Sequence, residues 1–262
     1  MSQRLVPLAL FAVVASSAAL LLSGCFLIPS PSPAPTSAPP PTETTNTPAA
    51  PSATPTAIST PSGTATAAGC PSNSATMPAG AVSHPTIDVD GDGVADTEWM
   101  SSSPTLEFGV TTASGATFSY PLATASPAGR EGFISRLNDH RIVSIVDDNR
   151  AAYLHFFVNC AWVETKTPQG APYPLDFNDF AGTGSGVGCA FGYVESFQAV
   201  NSGGSYTVTQ TPVDLNGDGS RATPGAPLAI ATGVAATDAH VKAAQTISCE
   251  GVTVANGGVT LP

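Results

Sequence analysis

The sequence predicts an all-β fold, and three observations lead to that prediction. From Ala81 to the C-terminus, short runs of β-branched and aromatic residues alternate with clusters of Gly, Asn and Asp, which is typical of strands joined by tight turns. Helical periodicity is scarce in the same region. Candidate hairpins recur at about 50 residues, a spacing at which repeat folds are expected. We therefore expect a hairpin-repeat domain that is partial propeller-like or sandwich-like.

Three hairpins are predicted in chain order, and each joins two apolar runs through a turn rich in Gly, Asn or Asp. The three turns are Ala113–Gly115, Asp147–Asn149 and Asn201–Gly204. The strands beside these turns are expected at residues 105–110 and 117–120, 141–146 and 152–158, and 190–200 and 205–213.

These hairpins define a weak internal repeat. Its units begin near Ile87, Leu137 and Gly188, and Trp99, Ile145 and Phe197 are the candidate equivalent core positions. Little else aligns between the units, so an irregular β domain is the alternative.

Two elements are predicted near the C-terminus. A helix is expected over Asp238–Gln245 with Thr237 as its N-cap, because Thr is a favoured capping residue. The dipeptide Asn256-Gly257 is a strong hairpin signal, and it predicts that residues 251–254 and 259–261 pair with each other.

The N-terminal 24 residues have the features of a secretory signal: Arg4 precedes an apolar run from Leu5 to Leu22. The run closes on Leu22-Ser23-Gly24-Cys25, which resembles the lipobox of bacterial lipoproteins. In that family the cysteine receives a diacylglycerol group and becomes the new N-terminus, and two acyl chains suffice for stable anchoring. The resemblance implies lipidation at Cys25 and a place on the extracytoplasmic face of the cell membrane. An uncleaved membrane span is the alternative, because Leu5–Pro29 is about as long as a bilayer requires.

Residues 25–80 are predicted to be a disordered linker that follows the lipidated cysteine. The segment consists mainly of Pro, Ser, Thr and Ala and contains no Lys or Arg, so it cannot bury enough apolar surface to fold. The β domain is therefore expected at residues 81–262. The chain has a net charge of −11, which disfavours nucleic-acid binding because phosphate contacts require clustered Lys and Arg.

The chain has five cysteines, an odd number that would leave one thiol free in an exported protein. Assigning Cys25 to lipid leaves Cys70, Cys160, Cys189 and Cys249, which allow three pairings. We prefer Cys160 with Cys189, which closes a short loop, and Cys70 with Cys249, which joins the two ends of the domain. Free buried thiols are the alternative.

Residues 88–96 read D-V-D-G-D-G-V-A-D, which places carboxylates at positions 1, 3, 5 and 9 of one loop. Four like charges in a short loop repel one another, and a hard cation offsets that repulsion. Calcium takes six to eight oxygen ligands in flexible geometry, so the loop predicts one Ca²⁺ site. A solvated acidic turn is the alternative. The predicted ligands are the carboxylates of Asp88, Asp90, Asp92 and Asp96 and the carbonyl of Val94.

The same loop resembles the FG-GAP/VCBS repeat, the integrin-α-like calcium motif D-x-D-G-D-G-x-x-D followed by a strand, here Thr97–Met100. In that family the loop joins strands of a propeller blade, and the domains usually serve in surface interactions. The resemblance covers one clear unit and assigns the same five ligands. Asp214–Gly219 looks like a second copy, but its ninth position is Ala222, so an ordinary hairpin turn is the preferred interpretation.

No catalytic motif is evident. The four histidines are scattered, a G-x-S-x-G elbow is absent, and the glycine-rich segment 182–188 lacks the Lys of a phosphate loop and is expected to be a flexible loop. Trp99 and Trp162 are expected in the core rather than as sugar platforms. We therefore expect a non-catalytic surface lipoprotein whose calcium-stabilised β domain binds a cell-wall glycan or a protein. A cell-wall or carbohydrate-active hydrolase is the alternative, and a small-ligand carrier is a third class.

Overall fold

Residues 69–102, 104–122, 129–176, 184–190 and 192–262 are described by the computed structural model, and they confirm the all-β prediction. Their strands form three antiparallel sheets in a sandwich-like arrangement. Residues 1–68, which include the predicted signal segment, Cys25 and most of the linker predicted over residues 25–80, lie outside these residues. No helix in the described part of the chain is both long and apolar enough to cross a membrane.

The first sheet has four strands in the order in which they occur along the chain. These strands are β1 (Val82–Pro85), β2 (Thr97–Ser101), β3 (Glu107–Thr111) and β4 (Thr117–Pro121). The acidic loop is the connection between β1 and β2.

The second sheet has six strands. They are β5 (Arg130–Arg136), β6 (Ile142–Asp147), β7 (Ala151–Val158), β8 (Ala161–Glu164), β9 (Pro174–Asp176) and β15 (Gly258–Leu261). The order is β15-β5-β6-β7-β8, and β9 also pairs with β7. The C-terminal strand therefore returns to an edge of this sheet.

The third sheet has five strands, in the order β10-β11-β12-β13 with β14 also paired to β12. They are β10 (Gly184–Ala190), β11 (Tyr193–Ser202), β12 (Ser205–Leu215), β13 (Ala222–Pro224) and β14 (Leu228–Val234). Two short helices follow, α1 (Ala239–Ala243) and α2 (Val254–Gly257).

The second sheet is covered on both faces. One face packs against the first sheet through an apolar cluster that includes Met100, Phe108, Ile134, Ile142 and Val146. The other face packs against the third sheet through a cluster that includes Phe133, Ile145, Leu154, Val194 and Val213. Successive side chains of a strand point to opposite faces, so all residues of β6 are buried.

The three predicted hairpins are confirmed as β3–β4, β6–β7 and β11–β12. In the third, Ser202 pairs with Ser205, which leaves Gly203 and Gly204 as a two-residue turn. Their φ values of 62° and 91° are those that a type I′ turn needs, and glycine adopts them without steric strain.

The predicted C-terminal hairpin is wrong. Asn256 and Gly257 belong to α2, where the Thr253 amide donates to Asn256 Oδ1 at 2.8 Å, and β15 pairs with β5 instead. The physical reason is burial: Val259 and Leu261 join the cluster between the first two sheets. The predicted N-cap of α1 is also wrong. The N-cap is Asp238, and its carboxylate accepts a hydrogen bond from the His240 amide at 2.9 Å.

The preferred disulfide pairing is wrong too, although all four cysteines are bonded. Cys70 pairs with Cys160, and Cys189 pairs with Cys249. Cys249 reaches Cys189 because the preceding segment runs beside β10, where Ile247 bridges to Val187. Cys160 lies in the β7–β8 turn, and this turn and the acidic loop line the same surface cleft. The acidic loop in turn binds the Cys70 amide, which brings the two cysteines together.

The internal repeat gains no support from the three sheets. They contain four, six and five strands in different orders. Trp99 and Ile145 are fully buried, whereas Phe197 is only partly buried. The recurring hairpins therefore reflect similar turn chemistry in three unlike sheets.

Candidate metal site

Turns made by its own aspartates shape the acidic loop. Asp88 accepts hydrogen bonds from the amides of Gly91 at 2.7 Å and Gly93 at 2.9 Å. Asp92 Oδ1 accepts from the Val94 amide at 2.7 Å. These side-chain-to-backbone bonds are typical of Asx turns and fold the loop back on itself.

Three of the five predicted ligands converge. Asp88, Asp90 and Asp96 each offer one carboxylate oxygen, and these atoms all lie within 4.8 Å of one another. Asp92 is not part of this group, and its Oδ1 accepts a hydrogen bond from the Val94 amide. The fifth predicted ligand is the backbone carbonyl of Val94, a residue that is 51% exposed. The structure therefore brings together the ligands predicted at positions 1, 3 and 9 of the loop.

Contacts with two other segments hold the group in place. Asp90 Oδ2 accepts from the Cys70 amide at 2.8 Å. Asp96 accepts from the Val89 amide at 2.7 Å and from the Ala113 amide, in the β3–β4 turn, at 2.9 Å. The loop thus links the N-terminal end of the described chain to a hairpin of the first sheet.

The electrostatics of the group favour a cation. Burial raises the pKa of Asp96, the two backbone hydrogen bonds oppose this, and the charges of Asp90 and Asp88 raise it further. None of the salt bridges found among the described residues includes these three carboxylates. The Arg136 guanidinium donates to the Asp88 backbone carbonyl rather than to a carboxylate.

The donor set fits calcium. All three side chains offer hard oxygen ligands, which suits Ca²⁺ and does not suit metals that prefer nitrogen or sulfur. Three carboxylates are fewer than the six to eight oxygens that Ca²⁺ takes, so water and backbone oxygens would complete the shell.

The second acidic sequence, at residues 214–219, forms a hairpin turn, as predicted. It joins β12 to β13, and the Asn216 amide donates to the Arg221 carbonyl at 3.1 Å. Asp218 accepts from the Ser220 amide at 3.0 Å and is not part of a metal-type cluster within the described ranges.

Trp99 lies in the core, as expected, whereas Trp162 is only partly buried and packs against the core. Trp99 is fully buried and its Nε1 donates to Thr111 Oγ1 at 3.2 Å. Trp162 packs edge-on against Phe157 and donates to the Phe118 carbonyl. The expected flexible loop before Cys189 is wrong from Gly184 onward, because those residues form β10; positions 182 and 183 lie outside the described residues.

Sequence reasoning missed a group of buried polar side chains between the first two sheets. Glu98 is fully buried, its Oε2 accepts from the Ile134 amide at 2.8 Å, and burial raises its pKa to about 8. The Tyr120 hydroxyl lies 2.9 Å from Ser144 Oγ. A signal was present, because Glu98 and the core residue Met100 are two apart on one strand and therefore share a face.

The chain matches no known protein family, curated protein or solved structure in the comparisons made.

Proposed function

We propose that this chain is a non-catalytic surface lipoprotein whose β domain is stabilised by one calcium ion and serves as an interaction or wall-associated structural module. The observation that carries the proposal is the convergence of Asp88, Asp90 and Asp96 within 4.8 Å. Calcium in this loop would offset two of the three negative charges where the carboxylates are closest.

The role proposed for the ion is structural. The loop has no regular secondary structure between β1 and β2, and its carboxylates bind the amides of Cys70 and Ala113. A cation held by these carboxylates would fix all three segments together. Extracellular calcium sites have a Kd of about 10⁻⁴ to 10⁻³ M, and a tenfold excess of ligand over Kd stabilises the folded state by about 1.4 kcal/mol.

The proposed location rests on Cys25 and the disulfides. The lipobox-like sequence at Leu22–Cys25 supports a lipid anchor on the extracytoplasmic face of the cell membrane. Two disulfides agree with an oxidising compartment, because structural disulfides are rare in reducing ones. The linker would hold the domain away from the membrane, within reach of a wall glycan or a protein partner.

The calcium proposal is tested by thermal unfolding of the full chain in EDTA and in millimolar Ca²⁺. We expect the midpoint of the wild type to rise with calcium and that of Asp90→Ala to stay constant. Asp218→Ala is the matched control, since it removes an aspartate from the similar turn outside the cluster. A full calcium response in Asp90→Ala, or none in the wild type, contradicts the proposal.

The anchor is tested by mass spectrometry of the N-terminal peptide after expression in a bacterial host. We expect an acylated Cys25 at the N-terminus of the membrane-bound protein, and release of Cys25→Ser from the membrane fraction. An N-terminal peptide that still contains Leu5–Leu22 would support the uncleaved span instead.

The hydrolase alternative has one structural observation in its favour. Glu131 and Asp147 are directly opposite each other on β5 and β6. Burial raises the pKa of Asp147 to about 7, with the Glu131 charge contributing, and Asp147 Oδ2 has no partner within the described residues. Glycosidases pair a carboxyl group of raised pKa with a second carboxylate, although Asp147 is only 1% exposed in this structure.

A screen against cell-wall glycans and peptides separates the two functions. Binding without turnover supports the non-catalytic proposal. Turnover that is lost in Asp147→Asn and kept in Asp148→Asn would establish the hydrolase, since these neighbouring aspartates point to opposite sides of the strand end.

A further inference from the structure

A surface cleft lies where the segment after β8 meets the β12–β13 turn. Its volume is about 460 Å³, which is within the range of small-ligand clefts. The lining residues that decide its chemistry are Trp162, Glu164, Lys166, Ser220 and Arg221. None of these residues belongs to the calcium cluster.

Backbone hydrogen bonds place Lys166 and Arg221 side by side. The Lys166 amide donates to the Ser220 carbonyl at 2.9 Å, and the Ala222 amide donates to the Lys166 carbonyl at 2.9 Å. This is a parallel bridge in which Lys166 and Arg221 are direct neighbours. Neighbouring strands lie about 4.8 Å apart, and directly paired residues point their side chains to the same side.

That side faces the solvent. Thr165 and Ala222, which flank the pair, are both 1% exposed. Successive side chains point to opposite sides, so Lys166 and Arg221 point away from the core, and both residues are exposed. Glu164 lies two residues before Lys166 and therefore on the same side, and its Oε2 is 3.4 Å from Lys166 Nζ.

The positive charge of the cleft is only partly balanced. Of the described residues that line it, Glu164 alone is acidic, and it pairs with Lys166. No carboxylate of the described residues forms an ion pair with Arg221, whose hydrogen bond to Asn216 Oδ1 uses the backbone amide. Arginine binds a carboxylate through two parallel N–H groups. An anionic ligand would therefore find an unpaired guanidinium with an ammonium group beside it.

The rest of the cleft suits a sugar ring. Trp162 lies two residues before Glu164 on the same side of the strand, is only partly buried and lines the cleft. Ser220 adds a hydroxyl group. A saccharide presents an apolar C–H face and a rim of hydroxyl groups, so one ring can contact the indole while its hydroxyl groups bind Ser220 and water.

The acidity of the whole chain does not prevent such binding. The net charge of −11 repels an acidic polymer at long range. At physiological ionic strength, however, salt screens exposed charges beyond about 8 Å. The charges in direct contact with the ligand therefore decide its affinity.

We propose that this cleft binds a carboxylate-bearing saccharide, with the carboxylate on Arg221 and Lys166 and the sugar ring on Trp162. The inference rests on the interaction function proposed above, for which it names the class of partner. Binding does not require the calcium ion, because no calcium ligand lines the cleft.

The test is a calorimetric titration of the full chain with tetragalacturonate in EDTA at about 0.15 M salt. EDTA keeps calcium from bridging the carboxylates of ligand and protein. We expect a Kd of about 1 mM or lower. The fully methyl-esterified tetramer has the same rings without the charge and should bind about tenfold more weakly, because it loses the charge-assisted hydrogen bonds.

Two variants and a control locate the site. Arg221→Gln removes the unpaired guanidinium and should weaken binding about tenfold. Glu164→Gln frees Lys166 from its ion pair and should strengthen binding several-fold. Arg150→Gln removes the same charge at an exposed position outside the cleft, so it should bind as the wild type does.

The outcomes are distinct. A loss in Arg221→Gln together with a gain in Glu164→Gln supports the proposal. Equal affinity for the acidic and the esterified tetramer, or equal losses in Arg221→Gln and Arg150→Gln, would overturn it. Polyglutamate that binds as tightly as tetragalacturonate would overturn the saccharide assignment.

Absence of binding to the wild type would also overturn this inference. The calcium response of the unfolding midpoint, measured on the same preparation, then shows whether the proposed metal site fails with it. A normal calcium response without saccharide binding would refute the cleft alone.

Discussion

The backbone amide of Cys70 donates a hydrogen bond to Asp90 Oδ2 at 2.8 Å, so a disulfide-bonded residue directly holds a candidate calcium ligand. Cys70 is buried and its partner is Cys160, in the β7–β8 turn of the second sheet. The acidic loop is therefore supported from outside the first sheet. Changes in the disulfide or in the backbone around Cys70 should therefore alter the position of Asp90 in the candidate metal site.

The first prediction concerns Gly69, which packs directly against the loop. A Cβ atom at this position would lie 2.5 Å from Asp90 Oδ2 and 2.8 Å from Asp92 Cβ. Gly69→Ala must therefore displace the Asp90 carboxylate, and we expect a lower calcium affinity and a loss of stability of about 1–3 kcal/mol. Calcium titrations followed by the unfolding midpoint measure both effects.

Gly217→Ala is the matched control for this substitution, because a Cβ atom at Gly217 meets no atom within 4 Å. It should leave calcium affinity unchanged. Wild-type calcium affinity in Gly69→Ala would show that Asp90 is not a ligand in its present position.

The second prediction is that the two disulfides have different effects on calcium. Removing Cys70–Cys160 by paired Ser substitutions should weaken calcium binding, because the Cys70 amide then no longer anchors Asp90. Removing Cys189–Cys249 should leave calcium binding unchanged. The bridges span 90 and 60 residues, so in the chain-entropy model each loss costs about 4–5 kcal/mol of stability. Equal calcium affinities in both variants, measured below their unfolding midpoints, would contradict the coupling.

The third prediction is the pairing itself, and trypsin alone can test it. Cleavage after Arg130, Arg150, Lys166, Arg221 and Lys242 places the four cysteines on separate peptides. A digest without reductant should therefore yield the peptide ending at Arg130 linked to Ala151–Lys166, and Thr167–Arg221 linked to the C-terminal peptide. Any other linked pair would refute the pairing.

Local chemistry explains which features the sequence could predict. The Gly203-Gly204 turn and the acidic loop are encoded by neighbouring residues, because turns and Asx bonds form within a few positions. Both were therefore expected at the right place.

Packing between distant segments explains which features the sequence could not predict. Asn256-Gly257 is a strong local signal, yet burial of Val259 and Leu261 between two sheets decides the partner of the last strand. The pairing of Cys189 with Cys249 likewise depends on a distant contact, because residues near Cys249 run beside β10. Such contacts carry no short-range sequence signal, since a strand's partner is set by tertiary burial.

The fourth prediction concerns the pH dependence of stability at Glu98. Its pKa is about 8 in the folded state and near 4.5 when exposed, because burial penalises the charged form. Between these values the folded state keeps a proton that the unfolded state has lost, so stability falls as the pH rises through this window. Below about pH 4.5 both states are protonated and the burial of Glu98 carries no ionic penalty.

Glu98→Gln should remove this dependence while keeping an oxygen that can accept from the Ile134 amide. We expect the variant to match the wild type near pH 5 and to exceed it by about 1–3 kcal/mol near pH 8, measured by denaturant unfolding. Asp96 and Asp147 also titrate, but they do so in both proteins and cancel in the difference. Glu107→Gln on the adjacent strand, where the side chain is partly exposed, is the control and should show no such trend. If the variant exceeds the wild type in unfolding free energy by the same amount at both pH values, Glu98 is already ionised in the folded state at pH 5. The difference can grow with pH only if Glu98 loses its proton within that range.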